Sequence, residues 1–182
     1  MSDARETQLL AAADIRHKIE RIAAQIIEAH PEHPLALVGI HTRGAVLCRR
    51  VHEILRARGR DAAFGTLDIA LYRDDLDNLG TIPSIRGSDL PFPMEGAHIV
   101  LFDDVLFTGR TIRAALAELV DYGRPARIEL AVLIDRGHRE LPIAPDYLGQ
   151  SIPTERADHV RVCFEETDKR EGVFLTRAAS RA

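Results

Sequence analysis

"HIVLFDDVLFTGRT", residues 98–111, sets two unlike chemistries end to end. The apolar run up to Phe102 has the pattern of a strand covered on both faces, as strands of a parallel sheet are. It ends on two adjacent carboxylates, Asp103 and Asp104, which repel each other and are costly to bury without a partner. Three apolar residues follow, then the turn Thr108-Gly109-Arg110-Thr111. Beyond it, "RTIRAALAELVDYG" spaces Ile112, Leu116, Leu119 and Val120 as the inward face of a helix that Gly123 stops. A turn at a helix start offers free N–H groups, hydroxyls and the positive end of the helix dipole, which together make a phosphate cradle. Carboxylates beside a phosphate need a reason, and sugar hydroxyls supply one, since a carboxylate is a strong acceptor for vicinal OH groups. A cationic, oxocarbenium-like centre supplies another. Ribose carrying a 5′-phosphate fits the whole stretch. The plainer alternative, an acidic strand end with an ordinary Thr N-cap, leaves the ordered succession unexplained.

The flanking chain alternates helical and strand periods. From about Asp14 to His30, Ile15, Ile19, Ile22, Ile26 and Ile27 share a helical face, and Pro31 follows. "LALVGI" (35–40) predicts a buried strand, and Ala45 to Arg58 a second helix closed by Gly59. "TLDIALY" (66–72) alternates as a strand does, while residues 73–97 are rich in Pro, Gly, Asp and Asn, a loop long enough to suggest function. "RIELAVLI" (127–134) predicts another buried strand, followed by irregular chain and late strands at 159–164 and 172–176. Helices between buried strands predict a single-domain α/β protein, a parallel sheet flanked by helices, with ligands beyond the strands' C-terminal ends. Three loops leave those ends together: "HTRG", "DDVLFTGRT" and "DRGHRE".

Bulk properties exclude several classes. The 182 residues suit one domain with a real core, and 46% hydrophobic with 29% charged residues is ordinary for a soluble protein. No apolar run suits a membrane span, and the N-terminus lacks a secretory pattern, so the expected location is the cytoplasm. Cys48 and Cys163 sit among apolar residues and predict buried thiols. A net charge of −4 advertises no polyanion partner. His30 and His33 lack the company of a metal site and are expected on the surface, and Arg49-Arg50 and Lys169-Arg170-Glu171 as solvated faces. No protein-held metal is predicted.

"VLFDDVLFTGRT" resembles the signature for 5-phosphoribosyl-1-pyrophosphate (PRPP) of type I phosphoribosyltransferases. Together with "LVGIHTRG", "LDIALYRDDL", "GRPARIELAVLIDRGHRELPI" and "IPT", it resembles the bifunctional pyrimidine operon attenuator and uracil phosphoribosyltransferase family, from about Ile15 to Phe164. The resemblance implies the type I phosphoribosyltransferase fold, with a small hood at about 135–158 and a mobile loop at about 73–97. It also implies uracil, PRPP and UMP as ligands, magnesium (Mg2+) carried in by PRPP, and a homodimer or higher homo-oligomer.

Residue roles follow from the same resemblance. His41, Thr42, Arg43 and Gly44 match a pyrophosphate loop that often holds a non-proline cis peptide, and Arg73 matches a diphosphate contact on the mobile loop. Asp103, Asp104 and the segment Val105, Leu106, Phe107, Thr108, Gly109, Arg110 and Thr111 match the ribose-phosphate site. Arg136, Gly137 and His138 match the part that reads the uracil edge, although a structural role for His138 is as good a reading by itself. For Asp74 and Asp75 a solvated acidic loop is a sufficient account. Asp103, Asp104, Arg43 and Arg73 are the expected catalytic set. The alternative is a UMP-sensing RNA-binding attenuator acting on a leader hairpin. Arg16 and Arg21 lie on the first helix, but Glu20, Ala24, Ala144, Gln150 and Glu155 depart from the basic or polar face the family implies. Fewer phosphate contacts mean weaker RNA binding, so the enzyme is the main expectation.

Overall fold

In the computed structural model, which describes residues 6–31, 34–69 and 87–177, the quoted stretch forms the middle of a five-stranded sheet. The elements run β1 (Glu6–Leu10), α1 (Ala12–Ala29), β2 (Leu35–Ile40), α2 (Arg43–Ala57), β3 (Ala63–Leu67) and β4 (His98–Leu106). They continue with α3 (Arg110–Asp121), β5 (Arg127–Asp135), β6 (Tyr147–Ser151), β7 (His159–Cys163), α4 (Glu165–Asp168) and β8 (Gly172–Thr176). The main sheet has the order β3-β2-β4-β5-β6 with every neighbour parallel. A second, antiparallel sheet has the order β1-β8-β7.

The apolar strands divide their side chains between two cores. Val100 and Phe102 face the core built with α1 and α2, while Ile99 and Leu101 face the one built with α3. This alternation is why these strands read as unbroken apolar runs. The first core also takes Leu10, Val162, Val173 and Leu175 from the second sheet, so one hydrophobic cluster spans both sheets. On α1 the buried residues Ile15, Ile19, Ile22, Ala23 and Ile26 make the inward stripe, and the Asp14 carboxylate accepts the Ala11 N–H at its start (2.9 Å).

Several expectations change here. The segment 135–158 contributes β6 to the main sheet, and the second sheet comes from the two ends of the described chain. β1, β6 and α4 have no strong period; β6 is "YLGQS", where Gly149 lies against Leu133 with no space for a side chain. β3 begins before the alternating stretch, at Ala63, and residues 70–72 lie outside the described chain. On α3, Val120 is 59% exposed, because one residue past Leu119 turns a helical side chain away from the sheet. His30 is buried, with its Nε2 2.6 Å from Glu129. Arg50 pairs with Glu166 and Glu171 and lies over the Phe164 ring, so it is no solvated face. Cys48 and Cys163 are buried free thiols. No described helix is long and apolar enough to cross a membrane.

Candidate active site

β4 outlasts β2. The last pair between them is Gly39 with Phe102, whereas β4 continues beside β5 through Leu106 and Asp135. At Asp103 the β2 side of the central strand therefore falls open. Chain order reverses at this point too, since β2 leads outward to β3 while β4 leads to β5 and β6. Such a switch point is where open α/β sheets place their ligands.

Three segments border the crevice. The His41 N–H donates to the Leu67 carbonyl (2.9 Å), the His41–Thr42 peptide is cis, and Arg43 opens α2. Opposite, Asp103 is buried and Asp104 half-buried, and an Asp103 carboxylate oxygen accepts the Asp104 N–H (3.0 Å). Burial pushes the Asp104 carboxyl up, while its hydrogen bond with Asp103 and the Arg43 charge pull it down. The balance keeps a carboxyl of raised pKa at the mouth of the crevice.

The Thr108–Thr111 turn completes that side. Gly109 has φ 94°, a left-handed conformation that glycine adopts freely and that swings the chain from β4 into α3. The first intrahelical bond is Arg113 N–H to the Gly109 carbonyl (2.9 Å), so the amides of Thr111 and Ile112 precede the helical ladder and suit an anion. The Arg110 N–H donates to Thr108 Oγ1 (3.3 Å), and the Thr108 carbonyl accepts from Glu140 (3.0 Å) and Leu141 (3.2 Å). The turn is thereby roofed by the segment after β5.

That segment is braced by arginines. Arg139 donates to the carbonyls of Phe107 (2.6 Å) and Ile143 (2.9 Å) and pairs with Asp135 (2.5 Å). Arg110 and Arg156 both reach Glu140, holding its carboxyl below the usual range. Arg136 is only 5% exposed and lies 4.0 Å from the Phe107 ring centre. It donates to Thr154 Oγ1 (3.3 Å) and to the carbonyls of Glu155 (2.9 Å) and Arg156 (3.2 Å). His138 Nε2 lies 2.7 Å from the Thr154 carbonyl.

The structure thus brings His41, Thr42, Arg43, Gly44, Asp103, Asp104 and residues 107–111 to one crevice, with Gly137 and its neighbours above. It changes two details. Leu106 is fully buried in the α3-side core and Val105 packs against the other, so neither side chain faces a ligand freely. Arg136 spends its fork on residues 154–156, because a buried guanidinium must satisfy its donors within the fold. Arg73, Asp74 and Asp75 lie outside the described residues. Arg139 and Asp168 were missed. Asp168 binds Arg43 from 125 positions away, and nothing local in the sequence marks that pairing.

The switch point of this parallel sheet joins paired carboxylates to a glycine turn at a helix start, the arrangement expected of a phosphoribosyl transferase, and the Phosphoribosyl transferase domain family model matches residues 6–167. The chain is 50% identical to the Bifunctional protein PyrR of Thermus thermophilus over 172 residues, covering 93% of this chain and 95% of that protein. It is 50% identical to the Bifunctional protein PyrR of a Roseiflexus species over 181 residues (96% and 97%), and 48% identical to that of Elusimicrobium minutum over 164 residues (89% and 92%). The chain belongs to the PyrR family. Among solved structures, a hypoxanthine phosphoribosyltransferase from Trypanosoma cruzi superposes with a TM-score of 0.74 at 20% identity, each chain fully covered. One from Staphylococcus aureus gives 0.69 at 21%, covering 96% of this chain and 93% of that one. These two share the fold.

Proposed function

We propose that this chain transfers the 5-phosphoribosyl group of PRPP to uracil, forming UMP and pyrophosphate, and that the UMP-bound protein regulates a pyrimidine operon through leader RNA. The observation that carries the transfer is the opening beside β4, where Asp103 and Asp104 stand between the His41–Gly44 turn and the Thr108–Thr111 turn. The Thr108–Thr111 turn takes the 5′-phosphate on its amides and hydroxyls. Asp103 and Asp104 accept the ribose hydroxyls and oppose the positive charge that develops at C1 as the bond to pyrophosphate breaks and the bond from uracil N1 forms. The amides of the 41–44 turn and Arg43 receive the diphosphate.

Magnesium carried in by PRPP would supply charge neutralisation on the diphosphate. The adjacent carboxylates at the crevice mouth are hard oxygen donors that suit such a hydrated ion. Arg136 and His138 act by fixing Thr154–Arg156, so that backbone groups there and at Gly137 present a fixed edge to the base. Uracil then outcompetes cytosine, which offers a donor where uracil has O4. The regulatory half rests on the family of bifunctional relatives. Incubating the protein with magnesium, PRPP and a panel of bases tests the transfer: UMP formed from uracil alone supports it, and no nucleotide from any base refutes it.

A further inference from the structure

Arg43 does not wait in the crevice as a loose side chain. Its Nε and Nη2 donate to the two carboxylate oxygens of Asp168, at 3.1 and 2.5 Å. This pairing uses one edge of the guanidinium and leaves the Nη1 end for another acceptor. Asp168 is itself held, because its Oδ2 also accepts the Thr167 hydroxyl (2.7 Å) and the Phe164 N–H (3.2 Å). The turn that carries it is held as well. Arg50, two helical turns after Arg43 on α2, pairs with Glu166 (2.7 Å) and Glu171 (2.7 Å) and lies 4.8 Å from the Phe164 ring centre.

We infer that Asp168 is a positioning residue of the active site: by gripping one edge of Arg43 it aims the free end of that guanidinium at the diphosphate side of the crevice, next to Asp104. This rests on the phosphoribosyl-transfer reading. The alternative is a staple between α2 and the second sheet. Arg50 with its two carboxylates and the shared apolar core already make that join. The Arg43 pair adds something the staple does not need: it stands at the first residue of the helix that leaves the diphosphate turn, and its charge acts on Asp104. An unheld arginine loses rotamer freedom on binding an anion, and a fork already seated in a pair has lost most of it beforehand.

The test is a double-mutant cycle in the full chain, with PRPP affinity by calorimetry, kcat and KM for PRPP, and thermal melting. Asp168→Asn is expected to weaken PRPP binding by about tenfold or more, as loss of a charge-assisted contact does. In an Arg43→Ala background it is expected to add nothing to the kinetic loss, since it acts only through Arg43. Glu166→Gln, which weakens one Arg50 pair and leaves the Arg50–Glu171 pair to hold the turn, is expected to leave the kinetics unchanged. Additive kinetic losses in the cycle, or wild-type PRPP affinity in a folded Asp168→Asn protein, overturn the inference. Should Asp168→Asn not fold, Arg43→Lys keeps the charge and gives up the fork, and wild-type PRPP affinity in that variant overturns it equally. A wild-type protein that binds PRPP yet makes no UMP refutes the proposed transfer, while the affinity arm still reads the positioning.

Discussion

Gly44 and Phe102 meet with no space for a side chain between them. A Cβ on Gly44 would lie 2.5 Å from the Phe102 carbonyl oxygen and 3.1 Å from the Asp103 Cα. The 41–44 turn is thus seated directly on the strand that delivers the two carboxylates. Gly44→Ala must push α2 away from β4, at an expected cost of about 1–3 kcal/mol in stability. Turnover should fall further than stability, since both sides of the crevice move. A folded Gly44→Ala protein with wild-type kcat/KM would contradict this.

Asp103→Asn and Asp104→Asn should each cripple turnover while the fold survives. The substitutions keep shape and remove charge where the proposed transfer develops positive charge, at an expected cost of about 2–4 kcal/mol in kcat/KM. Because burial raises the Asp104 carboxyl, the acid side of the wild-type rate profile should fall at a higher pH than an ordinary carboxylate would give. Steady-state kinetics across pH, with melting curves as the control for folding, check both statements.

Much of this site is legible in the sequence because its parts are local. The strand-to-turn succession at 98–111 and the loop at 41–44 carry their chemistry within a few residues. The switch from apolar strand to acidic end misleads in one respect, since β4 continues through Asp103 and Asp104 to Leu106 on the strength of pairing with β5 alone. Partnerships across the chain are invisible locally. Arg136 reads as a base contact until Thr154, Glu155 and Arg156 are seen to fill its fork. His30 reads as a surface residue until Glu129 and Tyr147 close around it. β6 is written in a Gly-containing stretch whose burial depends on close approach to β5.

The Arg43–Asp168 pair should be visible in acid. Arg43 first, with the Thr167 hydroxyl and the Phe164 N–H, holds the Asp168 carboxyl down from 3.8 to about 2, so the ionised carboxylate adds stability above the ordinary value and loses it as pH falls through about 2. With the carboxylate mostly buried, the expected contribution near neutrality is about 2 kcal/mol. Asp104 and Glu118 have the opposite sign: burial raises both, so acidification relieves them. Comparing wild type with Asp168→Asn by urea unfolding reads what the ionised carboxylate contributes. The gap between the two proteins should be full at pH 6 and shrink towards zero near pH 2, and a gap that does not change with pH refutes the assignment.

Arg136→Ala should damage stability and base selection together. It strips the partners from two backbone carbonyls and from Thr154, and removes the cation stacked on Phe107. The expected destabilisation is about 2–4 kcal/mol. With residues 154–156 released, discrimination of uracil from cytosine should relax more than PRPP affinity falls. A stable variant that still rejects cytosine would mean the segment holds its place without Arg136.

RNA binding should be limited by charge on the face formed by α1 and the segment after β5. Arg21 is exposed on α1 but donates to the Leu148 carbonyl (2.8 Å) and to the Gly149 carbonyl of the edge strand β6, so part of its donor capacity is spent inside the fold. Arg16 is exposed on the same helix, whereas Ala144 and Glu155 present no cation. Each phosphate contact contributes roughly 0.7–0.9 to the magnitude of the log–log salt slope. Glu155→Lys should therefore tighten binding of a pyrimidine leader hairpin in the presence of UMP and steepen that slope by about one contact. Arg16→Ala should act in the opposite direction. Arg21→Ala should also loosen the join between α1 and β6, and so lower melting temperature where Arg16→Ala does not. Gel-shift titrations with a cognate-type hairpin and a scrambled control, at two salt concentrations, separate these effects. Equal affinity for both RNAs would confine the charge to non-specific attraction, and tight hairpin-specific binding by the wild-type protein at physiological salt would show that the remaining cations suffice.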